Sequence, residues 1–292
     1  DVSKQYAFYS RLGPNRWVGR GPGTLCTSAN EIGPATKAAL DGFAAAGGRV
    51  LIATGRSVAA ATEVVDRCGL SGTIEYCVCM DGGCVVQAPN WEVIWSDGFS
   101  GTAVARVLRA IEAAVPGCSF GVLPLGNGYD SDVVSSEAYL DILRQETDST
   151  LAAEILSRRP RVSESFINEV EATGAMGWIR VLHTDGDRDA LLDALAPVVE
   201  YENSQHGSHV AAGESVVAGA VILRRATTDK SVGLAAMAKQ LGFTADKCCV
   251  FGDESNDWGM FRWSGKNCVY TDNAFRSNRR LCSEAFVANP GN

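Results

Sequence analysis

Short apolar runs alternate with amphipathic segments at both ends of the chain. Apolar runs of strand length occupy residues 5–10, 49–53, 247–251 and 267–270. Segments with apolar positions at helical spacing occupy residues 34–46, 57–68, 231–241 and 256–263. Continuous apolar strands are typical of a sheet that is buried on both faces, and strand–helix alternation with short connections predicts a parallel sheet covered by helices.

The middle of the chain has a different pattern. Its predicted strands lie at residues 91–95, 177–183 and 218–223, and its predicted helices at 102–114, 136–143 and 187–199. The polar stretch 144–165, rich in Arg, Ser and Glu, is predicted to be a mobile loop. We therefore predict a core domain formed by residues 1–85 and 223–292, and an inserted α+β domain formed by residues 86–222.

Composition and charge restrict the partners. Of the 292 residues, 46% are hydrophobic and 21% are charged, as in ordinary globular proteins. The net charge of −8 argues against a nucleic acid held by bulk electrostatics. No stretch reaches the roughly 18 apolar residues that a membrane helix needs.

The cysteines indicate the compartment. None of the ten forms a Cys-x-x-Cys pair, and several lie in strand-like runs where a thiol acts as a small apolar side chain. We therefore expect a reducing intracellular compartment, the cytosol or the interior of an organelle. The first residue is Asp1, which is compatible with removal of a presequence.

A strand that ends in a small hydroxyl residue and a glycine suits phosphate binding. Thr54 and Gly55 follow the predicted strand 49–53 and precede a predicted helix, whose N-terminal N–H groups favour an anion. Lys230 would add a positive charge for a phosphate oxygen. Each residue also has a simpler explanation, because Thr-Gly turns are common in α/β folds and a lysine at a helix start can be a surface residue.

A second polar group follows the predicted strand 247–251. Asp253 and Asp257 are four residues apart across a turn and suit Mg²⁺, which prefers a few carboxylates plus waters. Asn256 could hydrogen-bond to either acid and orient it, and it is also a candidate phosphate ligand. The simpler interpretation is a turn followed by a helix N-cap, for which Asp and Asn are preferred. In combination and in this order, the two groups predict a phosphate and Mg²⁺ site.

These segments resemble the haloacid dehalogenase superfamily, in particular its Cof-like branch of small-molecule phosphatases. Thr54-Gly55-Arg56, Lys230 and the segment 252–257 resemble its second, third and fourth motifs, and residues 80–86 resemble the edge where a C2-type cap is inserted. The resemblance implies an α/β fold with a doubly wound, Rossmann-like parallel-sheet core and a cap formed by the middle domain. It also implies Mg²⁺ as cofactor and a small phosphorylated metabolite as substrate.

The first motif departs from the family pattern Asp-x-Asp-Gly-Thr-Leu, in which the first Asp forms an aspartyl-phosphate and the second is the acid/base. Gly23-Thr24-Leu25 is retained, but Arg20 and Pro22 stand at the positions of the two acids. In an alternative register, which follows the N-terminal apolar run directly, Ser10 and Leu12 stand there. Neither register supplies a carboxylate.

The missing acids change the expected function. Loss of a covalent nucleophile costs several orders of magnitude in rate, and loss of acid/base help costs about 10²–10⁴-fold more. Mg²⁺ binding would also be weakened by the loss of a carboxylate ligand. We therefore expect a pseudoenzyme that serves as a structural or regulatory subunit of a larger assembly.

The pseudoenzyme interpretation implies protein partners. Candidate contact residues are the tryptophans Trp17, Trp91, Trp95 and Trp258, although partial burial in the core is the simpler explanation for each one taken singly. One alternative is a Mg²⁺-dependent phosphatase of sugar-phosphate type that recruits a carboxylate from elsewhere, for example Asp81 or a residue of the cap. Another is a phosphate sensor without catalysis.

Overall fold

A computed structural model of the chain describes residues 6–10, 25–26, 31–125, 133–145, 150–157, 159–183, 186–214, 219–253, 255–265, 267–271 and 286–288. The chain divides into two compact units. The core unit consists of Asp1–Ser96 and Asp229–Asn292, and the inserted unit consists of Asp97–Thr228.

The core unit begins with strands and helices in alternation. Their bounds are β1 Tyr6–Ser10, α1 Pro34–Ala45, β2 Arg49–Ala53, α2 Val58–Arg67, β3 Ile74–Cys79, β4 Cys84–Gln87 and β5 Glu92–Ser96. The proline at the first position of α1 suits a helix start, because its missing N–H would have no intrahelical partner there. Ser57 caps α2, since its hydroxyl accepts a hydrogen bond from the N–H of Ala60.

The inserted unit follows without interruption. Its elements are β6 Phe99–Ser100, α3 Gly101–Ala114, β7 Cys118–Leu125, β8 Val133–Val134, α4 Glu137–Gln145, α5 Thr150–Ser157, β9 Arg161–Val162, α6 Phe166–Ala172, β10 Ala175–His183, α7 Arg188–His206, β11 Val210–Glu214 and β12 Ala220–Arg225. The prediction of a loop at 144–165 is wrong, because this stretch contains α5 and β9. Two of its few apolar side chains, Ala152 and Ile155, are buried and hold the helix in place.

The chain then returns to the core unit. Its last elements are α8 Lys230–Leu241, β13 Cys248–Gly252, α9 Trp258–Ser264, β14 Cys268–Thr271 and β15 Phe286–Ala288. Single turns of 3₁₀ helix lie at Met80–Gly82, Ala245–Lys247 and Ser255–Asp257. The helices and strands predicted for the core are thereby confirmed, with bounds that shift by one or two residues.

The core sheet has the strand order β15-β14-β13-β1-β2-β3-β4-β5. Pairing is parallel from β15 to β3 and antiparallel at β4 and β5. Residues 50–53 of β2 are fully buried, so this strand is covered on both faces, as a parallel sheet between helices requires. The predicted α/β fold with a doubly wound core is confirmed.

The inserted unit is built on a second sheet. Its order is β11-β12-β10-β7-β8-β9, with β6 paired to β10 and with antiparallel pairing except between β8 and β9. Helices α3, α6 and α7 contribute to one apolar cluster on this sheet, and α4 and α5 contribute to another. Buried Arg180 donates from Nη1 to the hydroxyl oxygen of Tyr139, which is 2.8 Å away.

The division between the units lies at 96/97 and 228/229, whereas the sequence pattern places it at 85/86 and 222/223. The predicted strand at 91–95 exists as β5, but it pairs with β4 and so extends the core sheet. Strand β7 is not among the predicted elements, because Gly121 and Pro124 interrupt its apolar pattern.

Cysteine thiols fill apolar positions in the described part of the chain. The described cysteines are free thiols, and most of them are buried, as expected for small apolar side chains. Within the same residues, no helix combines the length and the apolar character needed to cross a membrane.

Helix α7 continues seven residues beyond its predicted end and contains Pro197 in its interior. A proline there removes a backbone hydrogen bond and clashes with the preceding turn. The side chain of Pro197 is exposed, whereas its neighbour Val198 is buried against the sheet. Packing of the buried face therefore holds α7 together across an unfavourable residue.

We expect Pro197→Ala to raise the free energy of unfolding by about 1–3 kcal/mol, because alanine restores the lost hydrogen bond at a small cost in unfolded-state entropy. Asp193→Ala, at another exposed position of α7, is the matched control and should change stability by less than about 0.5 kcal/mol. Urea unfolding followed by circular dichroism measures both. Equal stability of the two variants would contradict this account of the helix.

Candidate active site

Polar residues come together at the carboxyl edge of the core sheet, where ligands bind in doubly wound folds. Thr54 follows β2, Asp81 follows β3 and Asp253 follows β13, while Lys230 is the first residue of α8. Because β1 lies between β2 and β13, its last residue, Ser10, lies at the same edge.

A buried ion pair forms the centre of this site. The ammonium of Lys230 donates to Asp257 Oδ1 at 2.7 Å, and the two side chains are 2% and 0% exposed. Asp257 Oδ2 accepts a hydrogen bond from the backbone N–H of Asp253 at 2.9 Å. Both oxygens of this carboxylate are therefore fixed by neighbouring groups, which removes the large penalty of burying an unpaired charge.

The electrostatic field of the site keeps Lys230 charged. Burial by itself lowers the pKa of the ammonium, but the attraction of Asp257, Asp81 and Asp253 outweighs burial, so the pKa is raised. Lys230 therefore carries a full positive charge at neutral pH. An ammonium has three donors, and one of them is used by Asp257.

The carboxylates of the site provide some of the ligands that Mg²⁺ needs. Asp253 and Asp257 supply two carboxylates from one loop, and Mg²⁺ is usually held by one or two carboxylates, several waters and a substrate phosphate. Within the described part of the chain, no three His, Cys, Asp or Glu side chains are grouped so that they could hold a metal ion. Any Mg²⁺ bound here would depend on Asp253 and waters, because Asp257, predicted as a second ligand, is fully buried and uses both oxygens in hydrogen bonds to Lys230 and Asp253.

The loop after β2 turns tightly into α2. The backbone N–H of Thr54 donates to the carbonyl of Val78 at 2.8 Å, and Thr54 Oγ1 accepts from the N–H of Arg56 at 3.2 Å. Thr54 is buried. A hydroxyl that already accepts one hydrogen bond still has a proton to donate, so Thr54 remains able to bind an anion.

Asp81 is a site residue whose partner the sequence did not predict. Its Oδ1 accepts a hydrogen bond from Asn256 Nδ2 at 2.9 Å, whereas Asn256 was expected to orient Asp253 or Asp257. The sequence feature that indicates Asp81 is an acid that follows a buried strand and precedes two glycines. Sequence alone could not show that its carboxylate reaches across to the loop after β13.

The turn that carries Asp81 is unusual in its backbone. Met80, Asp81 and Gly82 have φ values of 56°, 52° and 101°, a region that residues other than glycine, asparagine and aspartate seldom adopt. Backbone hydrogen bonds fix the turn to the loop after β2: Asp81 N–H donates to the carbonyl of Thr54 at 3.0 Å, and Met80 N–H donates to that of Arg56 at 2.8 Å.

Gly82 allows this turn to touch the start of α8. A Cβ at Gly82 would collide with the carbonyl oxygen of Asp229. Asp229 is the N-cap of α8, and its carboxylate accepts a hydrogen bond from the N–H of Ser231 at 2.7 Å. The close contact therefore places the first residue of the helix, Lys230, beside the acids of the site.

The first motif lies mostly outside the described residues, including Leu12, Arg20 and Pro22. Strand β1 ends at Ser10 in the middle of the sheet, and its backbone pairs Ser10 with Ala53. This placement favours the register in which Ser10 and Leu12 replace the two acids. The assignment of site residues in this segment stays a prediction.

We expect Lys230→Met to lower the free energy of unfolding by about 3–5 kcal/mol, because it leaves the Asp257 carboxylate buried without its cation. The double variant Lys230→Met/Asp257→Asn should recover much of this loss, since no unpaired charge remains. Lys239→Met, at an exposed position of the same helix, is the control and should change stability by less than about 0.5 kcal/mol. If urea unfolding gave Lys230→Met the same free energy of unfolding as the control, the stabilising role of the buried ion pair would be disproved.

Comparisons with known proteins identify the family of this chain. Residues 23–278 match the family model of haloacid dehalogenase-like hydrolases. The match begins after both alternative positions of the missing acids. No curated protein matches the sequence significantly.

Solved structures share the fold at low identity. A haloacid dehalogenase-like hydrolase from Bacteroides thetaiotaomicron is 17% identical with a TM-score of 0.73, over 98% of this chain and 94% of that one. A phosphatase of the haloalkanoate (HAD) enzyme superfamily from the same organism is 17% identical with a TM-score of 0.68, over 98% and 89%. A HAD subclass IIB sugar phosphatase is 18% identical with a TM-score of 0.62, over 98% and 94%.

The family match covers most of the sequence, and the retained motifs meet at the carboxyl edge of a doubly wound sheet. Members of this superfamily typically use Mg²⁺. The resemblance read from Thr54, Lys230 and Asp253 is confirmed at the level of the family. The chain belongs to the haloacid dehalogenase-like hydrolase family.

Proposed function

We propose that this protein binds a small phosphorylated metabolite at the carboxyl edge of the core sheet and hydrolyses its phosphate ester in the presence of Mg²⁺. The observation that carries the proposal is the buried Lys230–Asp257 pair beside Asp253. Burying an ammonium among carboxylates is costly, and a site for a phosphate and a divalent cation gives this arrangement a use. The phosphatases among the similar structures support the same reaction class.

The reaction consumes water and a phosphate monoester and yields inorganic phosphate and an alcohol. A new P–O bond forms, the ester P–O bond breaks, and the leaving oxygen gains a proton. Lys230 supplies positive charge, and the hydroxyl of Thr54 and the N–H of Gly55 donate hydrogen bonds to phosphate oxygens. Fixed donors of this kind stabilise the transition state because they need no reorganisation during the reaction.

Mg²⁺, when bound, would act as a Lewis acid on a phosphoryl oxygen. Asp253 is the residue that would hold it, because both oxygens of the buried Asp257 carboxylate are already hydrogen-bonded to Lys230 and to the N–H of Asp253. Asp253 is 4% exposed, its backbone N–H contacts Asp257, and its charge acts on the Lys230 ammonium. Asn256 would contribute to the site by holding the Asp81 carboxylate with a hydrogen bond.

The first-motif positions of this sequence do not provide an attacking carboxylate. Neither Ser10 with Leu12 nor Arg20 with Pro22 supplies a carboxylate at the first-motif positions. Attack must then come from water or from a carboxylate of another loop. Asp81 is the candidate, since it lies within the field of Lys230 and is held by Asn256.

A second candidate function is non-catalytic. The missing first-motif acids favour a pseudoenzyme that keeps the fold, either as a structural or regulatory subunit with protein partners or as a sensor that binds a phosphorylated ligand. A fold by itself does not determine activity. The retained Lys230, Asp253 and Asp257 favour the hydrolase over a purely structural role.

Release of inorganic phosphate from a panel of sugar phosphates and other small phosphate esters tests the first candidate. We expect wild-type turnover with Mg²⁺, none with EDTA, and at least a 10²-fold loss in Asp253→Ala, because the metal site loses one of its carboxylates. Asp246→Ala removes an exposed acid before β13, at the other end of this strand, and should keep wild-type activity.

Equal inactivity of wild type and Asp253→Ala would overturn the hydrolase proposal. Calorimetric titration with inorganic phosphate would then separate the remaining candidates. Binding by wild type that is lost in the double variant Lys230→Met/Asp257→Asn, which is expected to recover much of its stability, indicates a sensor, and absence of binding by wild type indicates a structural subunit.

A further inference from the structure

Two cysteine side chains contact each other at the end of helix α2. The Sγ atoms of Cys26 and Cys68 lie 3.9 Å apart, which is within hydrogen-bond distance for sulfur. Both residues are thiols and not parts of a disulfide. They are 42 positions apart in the sequence, so the fold of the core unit, and not the local sequence, brings the two sulfurs together.

Both residues of this pair occupy defined positions. Cys68 is the C-cap of α2, and its N–H donates to the carbonyl of Val64 at 2.9 Å. The next residue, Gly69, has a φ of 63° and ends the helix. On the other side, Leu25 and Cys26 are only 2% and 1% exposed. The contact between the sulfurs therefore joins the end of a helix to a buried segment.

The separation of the sulfurs is small enough for a covalent bond to form. A disulfide has an S–S distance of about 2.0 Å, so the two atoms must approach each other by about 1.9 Å. Rotation about the Cα–Cβ bonds of two cysteines moves their sulfurs while the backbone stays in place. Closure of this pair thus requires a change of side-chain rotamers and no refolding.

The two thiols differ in their access to solvent. Burial, together with the neighbouring Cys68, raises the pKa of the Cys26 thiol to about 12, and the guanidinium of Arg56 opposes this shift only in part. Cys26 is therefore protonated at neutral pH. Cys68 is 8% exposed and lies at a helix end, which opens more readily than the middle of a helix. A small, uncharged oxidant can reach Cys68 first.

We propose that Cys26 and Cys68 form an oxidation site, at which a hydroperoxide converts the two thiols into a disulfide. The Cys68 sulfur attacks the terminal oxygen of the peroxide and the O–O bond breaks. Cys68 becomes a sulfenic acid, and its proton leaves with the other oxygen as an alcohol, or as water when the oxidant is hydrogen peroxide.

The second step uses the contact between the sulfurs. The Cys26 sulfur attacks that of Cys68, the S–O bond breaks, and the hydroxyl group leaves as water with the proton of the Cys26 thiol. In total, two thiols lose two electrons and two protons, and one peroxide takes them up. This reaction is independent of the proposed hydrolase function, because no phosphate takes part in it.

A second pair of cysteines provides an internal comparison. Cys79 and Cys84 face each other in the antiparallel strands β3 and β4, and both are 0% exposed. Susceptibility to oxidation follows the exposure of the thiol. We therefore expect the pair with a partly accessible member, Cys26 and Cys68, to be oxidised before the pair that is sealed inside the sheet.

The disulfide would brace part of the core unit. It would close a loop that contains α1, β2 and α2, together with Thr54 and Gly55. A cross-link over such a length restricts the unfolded chain and so stabilises the folded one. We expect the midpoint of thermal unfolding to rise by about 5 °C or more on oxidation, and to return when a thiol reductant cleaves the bond.

Peptide mass spectrometry tests the site on the full, reduced chain. The protein is treated with a small excess of hydrogen peroxide, the remaining thiols are alkylated, and the protein is digested with trypsin and chymotrypsin without reductant. Chymotrypsin cleaves after Tyr76 and so separates Cys68 from Cys77. We expect a peptide pair linked through Cys26 and Cys68, about tenfold more abundant than any link between Cys79 and Cys84.

Three variants accompany the wild type. Cys68→Ala and Cys26→Ser should each lose the cross-link and the reversible rise of the unfolding midpoint. Cys118→Ala is the matched control, because it removes a partly buried thiol of the inserted unit, and it should keep both. Circular dichroism confirms that each variant is folded before oxidation.

The proposal is overturned if oxidised wild type contains no link between Cys26 and Cys68, or if the link between Cys79 and Cys84 forms in preference to it. A link that forms but leaves the unfolding midpoint unchanged or lowers it would overturn the bracing effect. The linked peptides and a rise that reductant reverses, both absent from Cys68→Ala, would establish the oxidation site.

Discussion

The contact between the Lys230 ammonium and the Asp257 carboxylate, 2.7 Å long and closed to solvent, determines how the carboxyl edge of the core sheet is built. An ammonium cannot be buried without a partner, and its carboxylate partner must also be held. The backbone N–H of Asp253 holds that carboxylate by donating a hydrogen bond to Asp257 Oδ2. The loops around this pair are fixed by the same requirement.

Close backbone contacts bring the pair together. The turn after β3 approaches the N-terminus of α8 so tightly that residue 82 must be glycine, and α8 starts with Lys230. The same turn is hydrogen-bonded to the loop after β2 through Thr54 and Arg56. Lysine, carboxylates and the threonine loop thus form one unit, in which displacement of any loop exposes or unpairs a charge.

The residues expected to bind phosphate are present in this chain, whereas the two acids expected at the first motif are absent from its sequence. Strand β1 occupies the centre of the sheet, where the first motif of the family belongs, yet it ends in Ser10. Asp81 adds a carboxylate on a neighbouring loop.

The sequence by itself determined the core fold and the family. Burial places apolar residues in continuous runs, such as residues 49–53, or at the 3.6-residue spacing of a helix. These elements can therefore be predicted from the sequence. The motif residues Thr54, Lys230 and Asp253 could be named because each directly follows or precedes such an element. The absence of first-motif acids could likewise be read from the sequence.

Only the tertiary structure decided which side chains meet. Asn256 contacts Asp81, 175 residues away in the chain, rather than an adjacent acid, because the loops after β3 and β13 converge at one edge of the sheet. The assignment of β5 to the core sheet, and the continuation of α7 through Pro197, depend on pairing and packing with distant segments. Such partners cannot be predicted from local sequence, because hydrogen bonds and charge pairs between loops are set by the geometry of the completed fold.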